Sequence, residues 1–454
     1  GLNPKSVSVL NDPKYNTLSE AQMASYMARL IYSFKDKYIV TLSYRYDGAS
    51  QLGEGHKWAG LPSVALGWRL DQESFMRDIN WLDQLKLRAG WGLTGNYSVG
   101  IYSTKDLLES STGVHGANGS TYYYTPTTLA NSAIGWETTS QYNVGLDFSV
   151  LKGRLSGVLD LYQNYTNGLI FDVTLPNVTG YGKTKDNVGK TMNHGFDLSL
   201  NSTNISTRDF SWRSNLNLSY TKNKILELQN GKEDMVSDEL FIGYPSTVLY
   251  GYESAGLWTD SAEDLALIEK FNANGHQFAP GMVRPVDQNG DYKIDANYDR
   301  KVIGNTRPLW NLGFTNTFSY KNLELSIFLY GAFKFMAQTG QYQGGREPVI
   351  YMNYYNENNK TGAEYQRPYF NTAGGDPFSG ILLQKDASFL KVRQIALGYN
   401  LPRTFVKKLG LGSVKITGQL KNPFSIYQGT SWMDSDLNSG TYTRGFVFGV
   451  NVGF

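Results

Sequence analysis

Residues 25–48 read SYMARLIYSFKDKYIVTLSYRYDG. Tyr26, Ala28, Leu30, Tyr32 and Phe34 fall on every second position, with Met27, Arg29, Ile31 and Ser33 between them. After Lys35-Asp36-Lys37 the alternation resumes, with Tyr38, Val40, Leu42, Tyr44 and Tyr46 set against Ile39, Thr41, Ser43 and Arg45. A period of two sends successive side chains to opposite faces of an extended strand. The stretch is therefore a hairpin closed by a tight turn. Its strands are about ten residues long, enough to cross a bilayer at a tilt.

The pattern recurs outward from this hairpin. Leu85, Leu87, Ala89, Trp91 and Leu93 alternate with Lys86, Arg88, Gly90 and Gly92, and the chain closes on Phe446, Phe448, Val450, Val452 and Phe454 at the same spacing. Roughly thirteen such segments are legible, a signal that is weak singly and strong when repeated. They begin near Ala24, Lys37, Trp58, Gln84, Thr138, Gly153, Asn187, Phe210, Leu309, Asn322, Ser388, Ser413 and Thr443. Short connections follow Phe34, Val150, Leu200, Tyr320 and Leu401. Long ones occupy 48–57, 96–137, 168–186, 225–308, 335–387 and 425–442. The link DQESFMRDINWLD, residues 71–83, reads as a short helix on the short-turn side.

Composition narrows the field. Net charge is +2, which points to no nucleic-acid partner. Cysteine is absent, so disulfides and thiolate metal sites are excluded. Mean hydropathy is −0.38, and no apolar run of about eighteen residues marks a membrane helix. A large soluble β-sandwich or propeller would also alternate. It would not sort connections into short and long by side, nor place so many Tyr and Trp at strand ends. The reading is all-β: a transmembrane antiparallel β-barrel. If the short turns are periplasmic, residues 1–23 form an extracellular loop segment and residues 24–454 are barrel. An odd count of crossings then makes this the C-terminal part of a barrel, because single-chain bacterial barrels have an even number of strands.

Several stretches, in order, resemble the SusC/RagA family of TonB-dependent outer-membrane transporters of Bacteroidetes. They are YRYDGASQLGEGHKWAGLPSVALGWRL (44–70), LKLRAGWGLTGN (85–96), NVGKTMNHGFDLSL (187–200), DQNGDYKID (287–295), VIGNTRPLWNLGF (302–314), DASFLKVRQIALGYNLP (386–402) and GFVFGVNVGF (445–454). The resemblance implies a 22-stranded barrel with a plug inside, energy supplied through the TonB complex, and a SusD-like surface lipoprotein as lid. It implies import of an oligomeric nutrient, a glycan or a peptide. No plug or TonB box is visible in this chain. The expectation is therefore a companion N-terminal chain carrying the plug and about nine strands, the alternative being that these belong to an earlier part of one longer polypeptide, with further surface lipoproteins and a dimer of the transporter–lipoprotein pair as additional partners. A passive porin-like or adhesin barrel is the alternative.

No organic cofactor is expected, and no enzyme. His56, His115, His194 and His276 are scattered, with no HExxH spacing. Gly182-Lys183-Thr184 and Gly189-Lys190-Thr191 lack the earlier glycine of a phosphate loop and lie near the strand 187–203 rather than before a helix. One segment does suggest an ion. Asp287, Asn289, Asp291 and Asp295 stand at positions 1, 3, 5 and 9 of an EF-hand-like loop. Lys293 offers a carbonyl at position 7, and Asp299 is a late carboxylate one place beyond position 12. Tyr292 replaces the usual glycine at position 6. A Ca²⁺ site or a solvated Asp/Asn turn both fit; the family resemblance favours Ca²⁺. Tyr122, Tyr123, Tyr124, Tyr351, Tyr354, Tyr355 and Trp432 are candidate contacts for substrate or lid, since aromatic faces stack on sugars and pack on partner proteins. Loop-to-loop packing is the competing account.

Overall fold

A computed structural model describes residues 20–114, 120–338, 353–368, 375–408, 410–430, 436 and 443–454. Thirteen strands form one antiparallel sheet in strict chain order. They are β1 Met23–Phe34, β2 Tyr38–Ala49, β3 Trp58–Arg69, β4 Leu82–Asn96, β5 Glu137–Val150, β6 Leu155–Asn167 and β7 Lys190–Ser206. The remainder are β8 Phe210–Glu227, β9 Trp310–Tyr320, β10 Leu323–Phe333, β11 Phe389–Asn400, β12 Ser413–Gln428 and β13 Gly445–Gly453. This is the expected barrel wall, and each segment read from the period-two pattern corresponds to one strand. Among the described residues β1 and β13 each pair on one side only.

The register explains the apolar face. Tyr26 stands opposite Tyr46, Leu30 opposite Leu42 and Phe34 opposite Tyr38. Tyr46 in turn faces Gly60, and Leu42 faces Val64. One face is thus aliphatic in the middle and aromatic at both ends. Trp58 stacks between Tyr26 and Tyr46, at 6.1 and 4.9 Å between ring centroids. At the other end Tyr38 stacks on Phe34 and Trp68, both at 6.4 Å. At about 3.3 Å per residue, Tyr26 and Phe34 lie roughly 26 Å apart along β1, the height of the apolar band of an outer-membrane barrel. Aromatic side chains gather at such levels because one end is apolar and the other meets water. Among the described residues no helix is long and apolar enough to cross a membrane.

Short turns join the strands on one side. Lys35 and Asp36 adopt left-handed conformations (φ 53° for each), as do Leu151 and Lys152 (φ 59° and 58°). Two consecutive residues of this hand match the twist of a hairpin, and glycine or asparagine usually supplies them. The strand expected to end at Leu200 runs on to Ser206. The link expected as a short helix is instead two 3₁₀ turns, Leu70–Gln72 and Ser74–Met76. Between these turns Glu73 accepts hydrogen bonds from the Tyr38 hydroxyl at 2.6 Å, the Lys37 ammonium at 3.0 Å and the Trp68 indole at 3.1 Å. Those three donors, Tyr38 foremost, hold the Glu73 carboxyl down at about 2. The three contacts tie the link back to the aromatic belt.

Candidate functional site

The described parts of five of the long connections form two folded units beside the sheet. The first is built from three loops. Leu107–Val114, Ser120–Leu129, Lys183–Asn187 and Ile170–Thr174 make a four-stranded sheet drawn from connections far apart in sequence. Beneath it Ala49, Leu52, Val99 and Ile134 form a small buried core, with Tyr97, Trp136 and Ile170 at its margin. Asn187 clips the loops together. Its amide donates to the carbonyls of Gly135 and Gly168 at 3.1 and 2.8 Å, and its oxygen accepts the Gly135 N–H at 2.7 Å.

The second unit rises between β8 and β9. Helix α1, Ala262–Ala273, starts at Ser261, whose hydroxyl accepts the Asp264 N–H. That N-cap satisfies one of the donors a helix end leaves open. The helix buries Ile268 and Phe271 against Trp258, Phe278, Met282 and Ile294. A neighbouring cluster joins Val283 to Tyr365, Ile381 and Leu382 of the loop after β10. The joint is sealed by polar contacts. The buried Asp376 carboxylate accepts the Val283 N–H at 2.5 Å and the Phe378 N–H at 2.9 Å. Burial pushes the Asp376 carboxyl up from its ordinary value. Lys360 meets Asp260 at 2.8 Å. The described parts of the two longest connections thus form one platform.

The Asp-rich segment belongs to this platform. Tyr292 takes the left-handed conformation (φ 60°) that the sixth position of such a loop requires. Its N–H and that of Gly290 donate to Asp287 at 2.8 and 2.7 Å. Lys293 N–H donates to Asp291 at 2.8 Å, and the Asn289 amide donates to the same carboxylate at 2.9 Å. Asp295 accepts the N–H groups of Asn297 and Tyr298, which hold its carboxyl below the usual range. Asp299 is fully buried, and its two oxygens accept the N–H groups of Gln288 and Asp295, each at 2.8 Å. It braces the two ends of the loop. The donors are all oxygens, which suits a hard cation. Among the described residues, however, no three acidic or imidazole side chains are grouped to hold one ion.

The aromatic candidates separate. Tyr124 is 67% exposed on the strand Ser120–Leu129. Tyr122 and Tyr123 share that strand, opposite Thr112 and Ser111. Tyr354 is also exposed, whereas Tyr355 is buried and its ring lies over Gly281. Tyr351 and Trp432 lie outside the described residues.

The polar face of the wall carries an ion network that spacing alone did not disclose. Arg88 of β4 is bonded to Asp147 of β5 at 2.9 Å and to Asp160 of β6 at 3.0 Å. Reaching β6 means crossing β5, and the register places Gly145 between Arg88 and Asp160. A Cβ at that position would lie 2.5 Å from the Arg88 guanidinium, so the bridge exists because residue 145 is glycine. Beside it a hollow of about 500 Å³ is lined by Asp160, Asp197, Asn217, Ser219, Asn311 and Tyr330. Further round, Lys391 and Arg393 of β11 converge on Asp436. The inner wall is polar and charged, while the outer face is apolar, as a solute pathway through a membrane requires.

These features have close counterparts. The family model described as TonB dependent receptor-like, beta-barrel matches residues 3–263. The chain belongs to that family. It is a barrel protein of the outer membrane, and TonB-dependent receptors are transporters, not enzymes. The SusC/RagA resemblance is borne out. TonB-dependent receptor P26 of Formosa agariphila is 34% identical over 438 residues, covering 89% of this chain and 42% of that receptor. SusC of Bacteroides thetaiotaomicron is 28% identical over 455 residues, covering 94% of this chain and 43% of SusC. Among solved structures, the RagAB peptide transporter aligns with a TM-score of 0.76 at 24% identity, over 96% of this chain and 48% of its counterpart. The chain spans less than half the length of the relatives named here.

Proposed function

We propose that this chain supplies barrel wall and mouth, as the C-terminal part of the barrel, in a TonB-energised importer for an oligomeric nutrient, a glycan or a peptide. The observation that carries the reading is the pairing of a polar, ion-bridged inner wall with folded loop platforms at one mouth of an apolar-belted sheet. A passive pore needs no such platforms. Platforms that present exposed Tyr124 and Tyr354 suit capture of a large ligand. Relatives support the class: one is SusC and one is a peptide transporter. The platforms would meet a SusD-like lipoprotein lid and, in larger assemblies, further surface lipoproteins or a second transporter–lipoprotein pair. Comparing uptake in cells with and without TonB tests the reading.

The sheet edges bear on partners. Unpaired N–H and C=O groups of β1 and β13 would each cost several kcal/mol in lipid. We infer that about nine further strands, together with the plug, cover both edges.

The Asp-rich loop is offered as a Ca²⁺ site that orders the platform, with Asp287, Asn289, Asp291, Asp295 and the Lys293 carbonyl as ligands and Asp299 as brace. At ~5 mM Ca²⁺ the platform should gain about 1–2 kcal/mol, from the affinities of extracellular Ca²⁺ modules. Limited proteolysis of residues 225–308 with Ca²⁺ or with chelator reads this directly. Equal cleavage rates, or protection that survives Asp291→Ala, would discard the metal.

A further inference from the structure

At the short-turn end, on the face that meets lipid, the hairpin turn between β5 and β6 packs against the segment leading into β4. Leu151 N–H donates to the Trp81 carbonyl at 2.7 Å, and Gly153 N–H donates to the Asp83 carboxylate at 2.8 Å. A hollow of about 680 Å³ opens beside this joint. One wall is apolar, made by Trp81, Leu151 and Leu155. The other carries Lys152, Arg154 and Asn204, and no carboxylate lines the hollow.

The exposures are opposite to what water favours. Trp81 is 58% exposed and Leu151 53%. Leu151 and Lys152 both hold left-handed backbone (φ 59° and 58°), which is unfavourable for residues with a Cβ. The turn accepts that conformation and thereby sets an apolar side chain and a cation side by side at the rim. Arg154 is anchored by donating to the Thr203 and Asn204 carbonyls at 3.4 and 3.0 Å. Lys152 forms no ion pair or hydrogen bond among the described residues. The hollow is continuous with the lipid-facing surface through Leu155, which stands opposite Val150 on β5 and Ser202 on β7.

An apolar wall open to lipid and a cationic wall at headgroup depth, with the nearby Asp83 carboxylate engaged by the Gly153 N–H and outside the lining, fit one occupant. We propose that this hollow binds a phospholipid, with its headgroup phosphate at Lys152 and Arg154 and its acyl chains on Leu151, Leu155 and Trp81. The phosphate takes charge-assisted hydrogen bonds, and the indole lies at the depth where tryptophan anchors membrane proteins. The lipid belongs to the leaflet at the short-turn side, so the site is separate from the solute pathway and from the loop platforms.

The test uses the protein isolated from its own outer membrane, stripped of lipid in detergent and titrated with phosphatidylglycerol, with bound lipid counted by native mass spectrometry. Lys152→Asn removes the cation with a residue that tolerates left-handed backbone, so the turn is preserved. It should weaken binding about fivefold, the equivalent of one cation at the membrane surface. Lys35→Asn, an equivalent change in the left-handed turn of the first hairpin, should leave affinity unchanged. Glycerol 3-phosphate, which has the anion without acyl chains, should not bind at the same concentration. Unchanged affinity in Lys152→Asn, an equal loss in Lys35→Asn, or binding of glycerol 3-phosphate as tight as that of the lipid would each overturn the site.

Discussion

Trp258→Ala is expected to unfold the platform between β8 and β9 while the barrel wall stays folded. Trp258 is 1% exposed. Its ring lies 5.7 Å from Phe271 and 5.5 Å from Phe278, with the Arg284 guanidinium 4.6 Å above it. Truncating a buried tryptophan costs about 3–5 kcal/mol, from lost burial and the cavity left behind. A module held by two small clusters, the larger centred on Trp258, has little more than that to lose. No ladder bond of the thirteen-stranded sheet runs through this module, so the wall should not follow. The indole N–H of Trp258 is buried without a hydrogen-bond partner among the described residues. Trp258→Phe therefore forfeits no hydrogen bond and should be much milder. Hydrogen exchange resolves the two regions: residues 228–308 should lose protection in Trp258→Ala and β5 to β8 should keep it.

The second large effect tests which face meets lipid. Leu161 stands opposite Val144 on β5 and Phe196 on β7, in the apolar band. Leu161→Arg should destabilise the barrel by about 2–4 kcal/mol, the cost of a cation near the middle of the bilayer. Asn143→Arg changes the adjacent row on the opposite, polar face and should stay within about 0.5 kcal/mol. Denaturant unfolding in lipid vesicles gives both values. Equal losses would mean that the two faces have been assigned wrongly.

The strands were legible because each is a half-buried element whose local alternation is imposed by two different media. The hairpin at Phe34 and Tyr38 needed nothing beyond its own residues. The platforms were not legible in this way. The helix after Ser261 is a dozen residues inside a long polar connection, and the apolar residues that cover it come from Trp258 and from the 278–294 stretch. The four-stranded loop sheet pairs Thr184 with Leu129 across two membrane crossings, which no local pattern encodes. The Arg88 bridge could be found only with the register in hand, since Gly145 is ordinary in sequence until it is seen between Arg88 and Asp160. Asp299 was readable as a late carboxylate. Its burial, with the Gln288 and Asp295 N–H groups both turned onto it, was not, because a loop with no periodic pattern does not disclose which carboxylate it folds around.

The measurement that bears most directly on the proposed activity is uptake of the native oligomer by whole cells, with and without TonB. Labelled oligomers from the organism's growth medium are presented at low external concentration, and accumulation is followed over minutes. The account predicts accumulation against the gradient in the parent strain, abolished by loss of TonB or by a protonophore while binding to the cell surface persists. Uptake that proceeds equally without TonB, and stops when inside and outside concentrations are equal, would contradict it and show a passive pore.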